Sequence, residues 1–289
     1  RGGVGSGSSS YIQDAIGSVL RQVVYATEQV PHNFDHSTEE RSVEIRMDSV
    51  RGRSSHLVRM VAVASLAVGF VFVSTVSLAE EIESNIARGG KLYDEWYEIA
   101  DGDLPSGTHP SYPKEGKKSK NTTWRCQECH GWDYMGKDGA YAKGSHYTGL
   151  AGIRGSSGAD PAAIVAILKS DSHRFSEDNF SDEDFEDISL FISKGQVDMG
   201  AYIDPASKAI KGDKAKGEAY YNTVCAGCHG KDGKQIKDMK AVSAVTNADL
   251  WQTLHKILNG QPGEKMPAMR AFPIQVSVDI LAYIQTLPE

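Results

Sequence analysis

All four cysteines of this 289-residue chain fall in two identical Cys-X-X-Cys-His pentapeptides, Cys126-Gln127-Glu128-Cys129-His130 and Cys225-Ala226-Gly227-Cys228-His229. Two thiols three positions apart share one helical turn, and the histidine that follows stays on the same short helix. Thiols so placed can each form a thioether to one vinyl group of a haem, with the next imidazole beneath the iron. Zinc-ribbon pairs stand about 15–20 residues apart, whereas 95 residues separate these two cysteine pairs. A redox dithiol calls for a βαβ context that the sequence lacks. No cysteine remains for a disulfide or a nucleophile. The expected cofactors are two haem c groups, each with its iron, attached through Cys126 and Cys129 and through Cys225 and Cys228. His130 and His229 are the proximal iron ligands.

The pattern around the motifs is helical throughout. After the second motif, Leu250, Leu254, Ile257 and Leu258 recur on one helical face, and Asn259-Gly260 supplies a stop. A last helix over 276–287 carries Ile280, Tyr283, Ile284 and Leu287. The first half repeats the order. Gly89-Gly90-Lys91-Leu92-Tyr93 parallels Gly217-Glu218-Ala219-Tyr220-Tyr221, and Gly136-Lys137-Asp138-Gly139 echoes Gly230-Lys231-Asp232-Gly233. Helices are expected over 161–169 and 181–194, the second opened by a Ser181/Asp184 capping box and closed by Gly195. The main departure from the repeat is an insertion over 94–124, rich in Gly, Pro and Lys. It reads as a surface excursion, with Trp96 and Trp124 serving as core or as cover for the first haem.

These residues resemble the class I cytochrome c family, in its two-domain dihaem form, over nearly all of 85–289. The resemblance implies an all-α fold: two class I cytochrome c-like haem domains in tandem, over 80–195 and 214–289, joined by a linker at 196–213. It implies terminal helices crossing near Gly217/Tyr283 and Gly90/Phe191. It also implies a distal methionine in the loop before the last helix. In the second domain that is Met266, directly before Pro267 and 37 residues after His229, with Met269 as fallback. The first domain has no methionine in the equivalent loop, 170–180. His173, 43 residues after His130, is the expected distal ligand there. Met199 is its rival, and His146 comes third.

Residues 1–79 carry seven arginines against seven acidic residues, so the net charge of −7 falls on 80–289. An acidic surface argues against nucleic acid, which requires a basic patch. Residues 60–79 form an uncharged apolar run behind Arg51, Arg53 and Arg59 and end in Ser77-Leu78-Ala79. That pattern, over 47–79, is an export signal peptide cleaved after Ala79. The run is also near the length of a membrane span, so an anchor stays open as the alternative. Residues 1–46 read as an upstream, non-mature segment.

The expected protein is periplasmic or otherwise exported. It transfers electrons between redox protein partners, alone or docked to a membrane-bound complex; the sequence names neither donor nor acceptor. The acidic residues of 177–187 could steer a basic partner, although a solvated helix start explains them better. The alternative is a dihaem enzyme, peroxidase-like or an oxidase or dehydrogenase haem subunit. It would need an open or displaceable distal ligand in the first domain, and no catalytic residue is assigned.

Overall fold

Helices and short helical turns are the regular elements of residues 81–289, the part of the chain that the computed structural model describes. Two isolated antiparallel bridges, Gly136 with Ala151 and Ile203 with Ile210, are the extended pairing among the described residues. The segments 1–46 and 47–79, with the apolar run 60–79, lie outside the described residues. Among the described residues no helix is long and apolar enough to cross a membrane.

The first half contains α1 (81–95), α2 (Cys126–His130), α3 (Pro161–Leu168) and α4 (Asp182–Leu190). A π-helical turn, Phe191–Gly195, prolongs α4. The second half contains α5 (Lys214–Tyr220), prolonged by the π-helical turn Tyr221–Cys225, then α6 (Ala226–His229), α7 (Val242–Ala248), α8 (Leu250–Asn259) and α9 (Ile274–Ile284). Local chemistry sets several starts. Asp160 accepts a hydrogen bond from Ala162 N–H with Pro161 at the first helical position, and Asp249 accepts one from Gln252 N–H. Ser181 and Asp184 form a reciprocal capping box at α4.

Each half is built on one crossing of helices made possible by a glycine. A Cβ at Gly217 would collide with the Asp279 carbonyl of α9, and a Cβ at Gly89 with the Asp187 carbonyl of α4. In the first half the crossing glycine is therefore Gly89, one residue before the Gly90 expected from the sequence. Gly90 has a different use, because the side chain of Asn259 in α8 fills the space its Cβ would need. The repeat after each haem motif also shifts. Gly131 and Gly230 both follow the histidine with φ near +80°, and Tyr134 (φ +65°) takes the place of Gly233 (φ +73°). The counterpart of Gly230-Lys231-Asp232-Gly233 is thus Gly131-Trp132-Asp133-Tyr134, not 136–139. A tyrosine in this left-handed conformation is strained by roughly 1–3 kcal/mol.

That strain is located where the two halves meet. Leu250, Leu254, Ile257 and Leu258 of α8 are buried in the second-half core. From the same helix, His255 and Lys256 turn to the first half. The Tyr134 hydroxyl donates to His255 Nδ1 at 2.8 Å, and His255 Nε2–H donates to the Gly90 carbonyl at 2.9 Å. Asp94, fully buried, pairs with both Arg125 and Lys256. Arg270 donates to Asn259 Oδ1 and to the Gly195 carbonyl. Residues 196–213 are packed rather than loose: Met199 and Ile203 are both buried in the hydrophobic core.

Candidate functional site

The first Cys-X-X-Cys-His helix is clamped to α1 at both ends. Before it, Arg125 donates through Nε to the Asp94 carbonyl at 2.8 Å. After it, the Tyr93 hydroxyl donates to the Gly131 carbonyl at 2.6 Å. His130 Nδ1–H donates to the Ala151 carbonyl at 2.7 Å, which leaves Nε2 with a free lone pair. Ala151 is held by the bridge to Gly136, so the acceptor is itself fixed.

Cys126, Cys129 and His130 line one side of a cavity of about 320 Å³. Ile153, Ile164, Leu168, Phe175 and Ile192 give it an apolar wall, and His173 enters from the loop between α3 and α4. The His130 and His173 rings lie 6.0 Å apart between centroids, with planes 25° from parallel. Two metal–nitrogen bonds of about 2.0 Å each, with two ring radii, fill a span of that order. Burial lowers the pKa of both imidazoles, which keeps them neutral and able to ligate. His173 Nδ1 has the Ser172 hydroxyl as partner at 3.0 Å.

Burial pushes the Cys126 and Cys129 thiols up to about 12 and the Cys225 thiol up to about 11. Redox dithiols and thiolate metal sites depend on lowered thiol pKa values. The environments of Cys126, Cys129 and Cys225 do the opposite, which argues against a redox dithiol or a thiolate metal site at these positions.

The rival ligands lie elsewhere. Met199 is packed in the core, and His146 stacks on Tyr141 at 4.7 Å and contacts Glu128 at 3.2 Å. Neither lines the cavity. Trp124 does line it, whereas Trp96 is core, edge-on to Phe175 and Phe180. His109, Ser111 and Thr123 of the insertion complete the wall. The sequence reading missed His109, since nothing in its irregular neighbourhood marks it.

In the second half, the π-helical turn Tyr221–Cys225 delivers the motif into α6. The Tyr221 hydroxyl donates to the Gly230 carbonyl at 2.9 Å, the same clamp as Tyr93. His229 Nδ1 is buried without a hydrogen-bond partner among the described residues, and burial lowers the pKa of its ring. The loop after α8 turns at Gly260 (φ +87°), where a Cβ would press on the Met266 carbonyl at 2.6 Å. Met266 is half-buried against the core. Met269 is buried within it, its N–H donating to the Ile257 carbonyl at 3.0 Å. The cavity and the neutral imidazoles that line it fit a covalently attached haem.

Residues 212–284, from the approach to α5 through α9, match the family described as Cytochrome C oxidase, cbb3-type, subunit III. This stretch is therefore similar to a haem-bearing, electron-transferring c-type cytochrome domain. No curated protein and no solved structure is matched by the chain.

Proposed function

Taking a cytochrome c-like second domain as premise, we propose that the chain is an exported dihaem c-type cytochrome that passes electrons between redox partners. The observation that carries the second haem into the first domain is the His130/His173 pair facing across a cavity bordered by Cys126 and Cys129. Cys126, Cys129, Cys225 and Cys228 hold the macrocycles, with His130 and His173 on one iron and His229 and Met266 on the other. Haem supplies one-electron chemistry, and a Met/His pair gives a higher potential than two nitrogen ligands. The unlike ligand sets therefore favour electron flow from the first site toward the second.

The protein's own part is to orient and exclude. The Ala151 carbonyl orients His130, and the wall from Ile153 to Ile192 keeps water from the first site. The close docking of the halves through Tyr134, His255 and Asp94 holds the two sites in one frame, as transfer between them requires. The matched family's description names an oxidase subunit. By that likeness we propose that the chain's redox partners belong to an oxidase complex.

Haem quantitation on the purified protein tests the proposal, with optical and EPR spectra in both redox states and with carbon monoxide. The expected result is two haems per chain, both low-spin and binding carbon monoxide only slowly. One haem per chain would sink the dihaem reading. An iron that binds carbon monoxide readily would put a dihaem enzyme in its place. His173→Ala should open the first iron, and Met199→Leu should leave it unchanged.

A further inference from the structure

The loop that carries His173 follows directly on α3 and is tied back to it by Phe175 N–H, which donates to the Leu168 carbonyl at 3.1 Å. It is a turn in which His173 N–H donates to the Ser170 carbonyl at 3.0 Å, followed by Arg174 at φ +60°. Its tie to the rest of the molecule on the cavity side comes from the insertion. His109 Nε2–H donates to the His173 backbone carbonyl at 2.8 Å. The proton is on Nε2 because Nδ1 accepts the Ser111 N–H at 3.1 Å.

His109 is in turn anchored. Its backbone N–H donates to Thr123 Oγ1 at 2.9 Å, and its ring meets Trp124 edge-on at 4.3 Å. Trp124 donates through Nε1 to the Gly107 carbonyl at 3.1 Å and accepts from Trp96 Nε1 at 3.0 Å. Trp96 is fully buried in the core. A continuous series of contacts thus runs from the core through Trp124 and His109 to the backbone of His173. Because it ends on the carbonyl, the His173 ring stays free to face His130.

We infer that the 94–124 insertion is a latch on the first haem site, with His109 as the positioning residue that holds His173 toward His130. The inference rests on the ligand pair proposed above and extends it: the latch keeps external ligands off the first iron, and so makes this domain a carrier rather than a ligand-binding centre.

The test is carbon monoxide binding to the reduced holoprotein, read at the first haem by stopped-flow absorbance, with EPR of the oxidised form. His109→Phe keeps an aromatic ring against Trp124 but has no donor. It should bind carbon monoxide about tenfold faster, equivalent to about 1.4 kcal/mol, the order of one buried hydrogen bond. His109→Gln retains a donor at a similar reach and should stay within about twofold of the parent protein. A His109→Phe protein as closed as the parent overturns the latch. So does equal opening in both variants, which would mean that ring shape alone matters. If His109→Phe fails to load haem, Thr123→Val, which unties the His109 backbone, should open the site about threefold; no change there overturns the inference. A first haem left spectrally unaltered by His173→Ala refutes the ligand pair itself, a separate failure.

Discussion

Protonation of His255 should weaken the molecule across a defined pH range. This imidazole is fully buried between the halves, with Tyr134 donating to one nitrogen and Gly90 accepting from the other. Burial lowers its pKa from 6.5 to about 4, against a smaller opposing pull from Asp94. In the unfolded chain the same ring titrates near 6.5. Between those values the unfolded state binds a proton that the folded state refuses, so stability falls as pH drops from about 6.5 toward 4 and then levels. Integrating the two binding curves gives a loss of roughly 2–3 kcal/mol between pH 7 and pH 4.5 from this one group. The assay is urea unfolding of the holoprotein at a series of pH values, for the parent and for His255→Gln. The glutamine variant should be less stable at pH 7, having lost good hydrogen bonds, and should lose about 2–3 kcal/mol less on acidification. The other buried histidines are common to both proteins and cancel in the difference. A parent-minus-variant difference that stays constant to within about 0.5 kcal/mol over this range would refute the reasoning.

Four further perturbations have defined outcomes. Asp94→Asn leaves Arg125 and Lys256 without their shared carboxylate; with both cations mostly buried it should cost about 3 kcal/mol. Calorimetry should read this as a fall in Tm of roughly 6–12 °C, and a shift below 2 °C would mean that the pair is not structural. Tyr134→Phe orphans the buried His255 Nδ1 and should cost about 1–3 kcal/mol by urea unfolding. Gly217→Ala forces a methyl group into the Asp279 carbonyl and should cost about 3 kcal/mol. Gly227→Ala has open space and ordinary helical surroundings and should be nearly neutral in the same assay.

Covalent and local chemistry is legible in the chain order. The two pentapeptides, the capping box at Ser181, and the apolar face of 250–258 depend on neighbours within a few positions, and each appears in the structure as a local element. The helical character of both halves follows from the same short-range periodicity. Which residues meet across the chain does not. The glycine pair 89–90 looks like one crossing point, yet helix register gives Gly89 to α4 and Gly90 to Asn259. The repeated Gly-Lys-Asp-Gly string suggested one alignment, whereas the positive φ values at Gly131 and Tyr134 impose another. His109 reaches His173 across 64 positions, and Tyr134 reaches His255 across 121. Such contacts depend on how helices cross, and a crossing is decided by the packing of both surfaces together. The sequence alone therefore determined where the two Cys-X-X-Cys-His motifs stand, while tertiary packing decided what faces them and what holds the two halves in register.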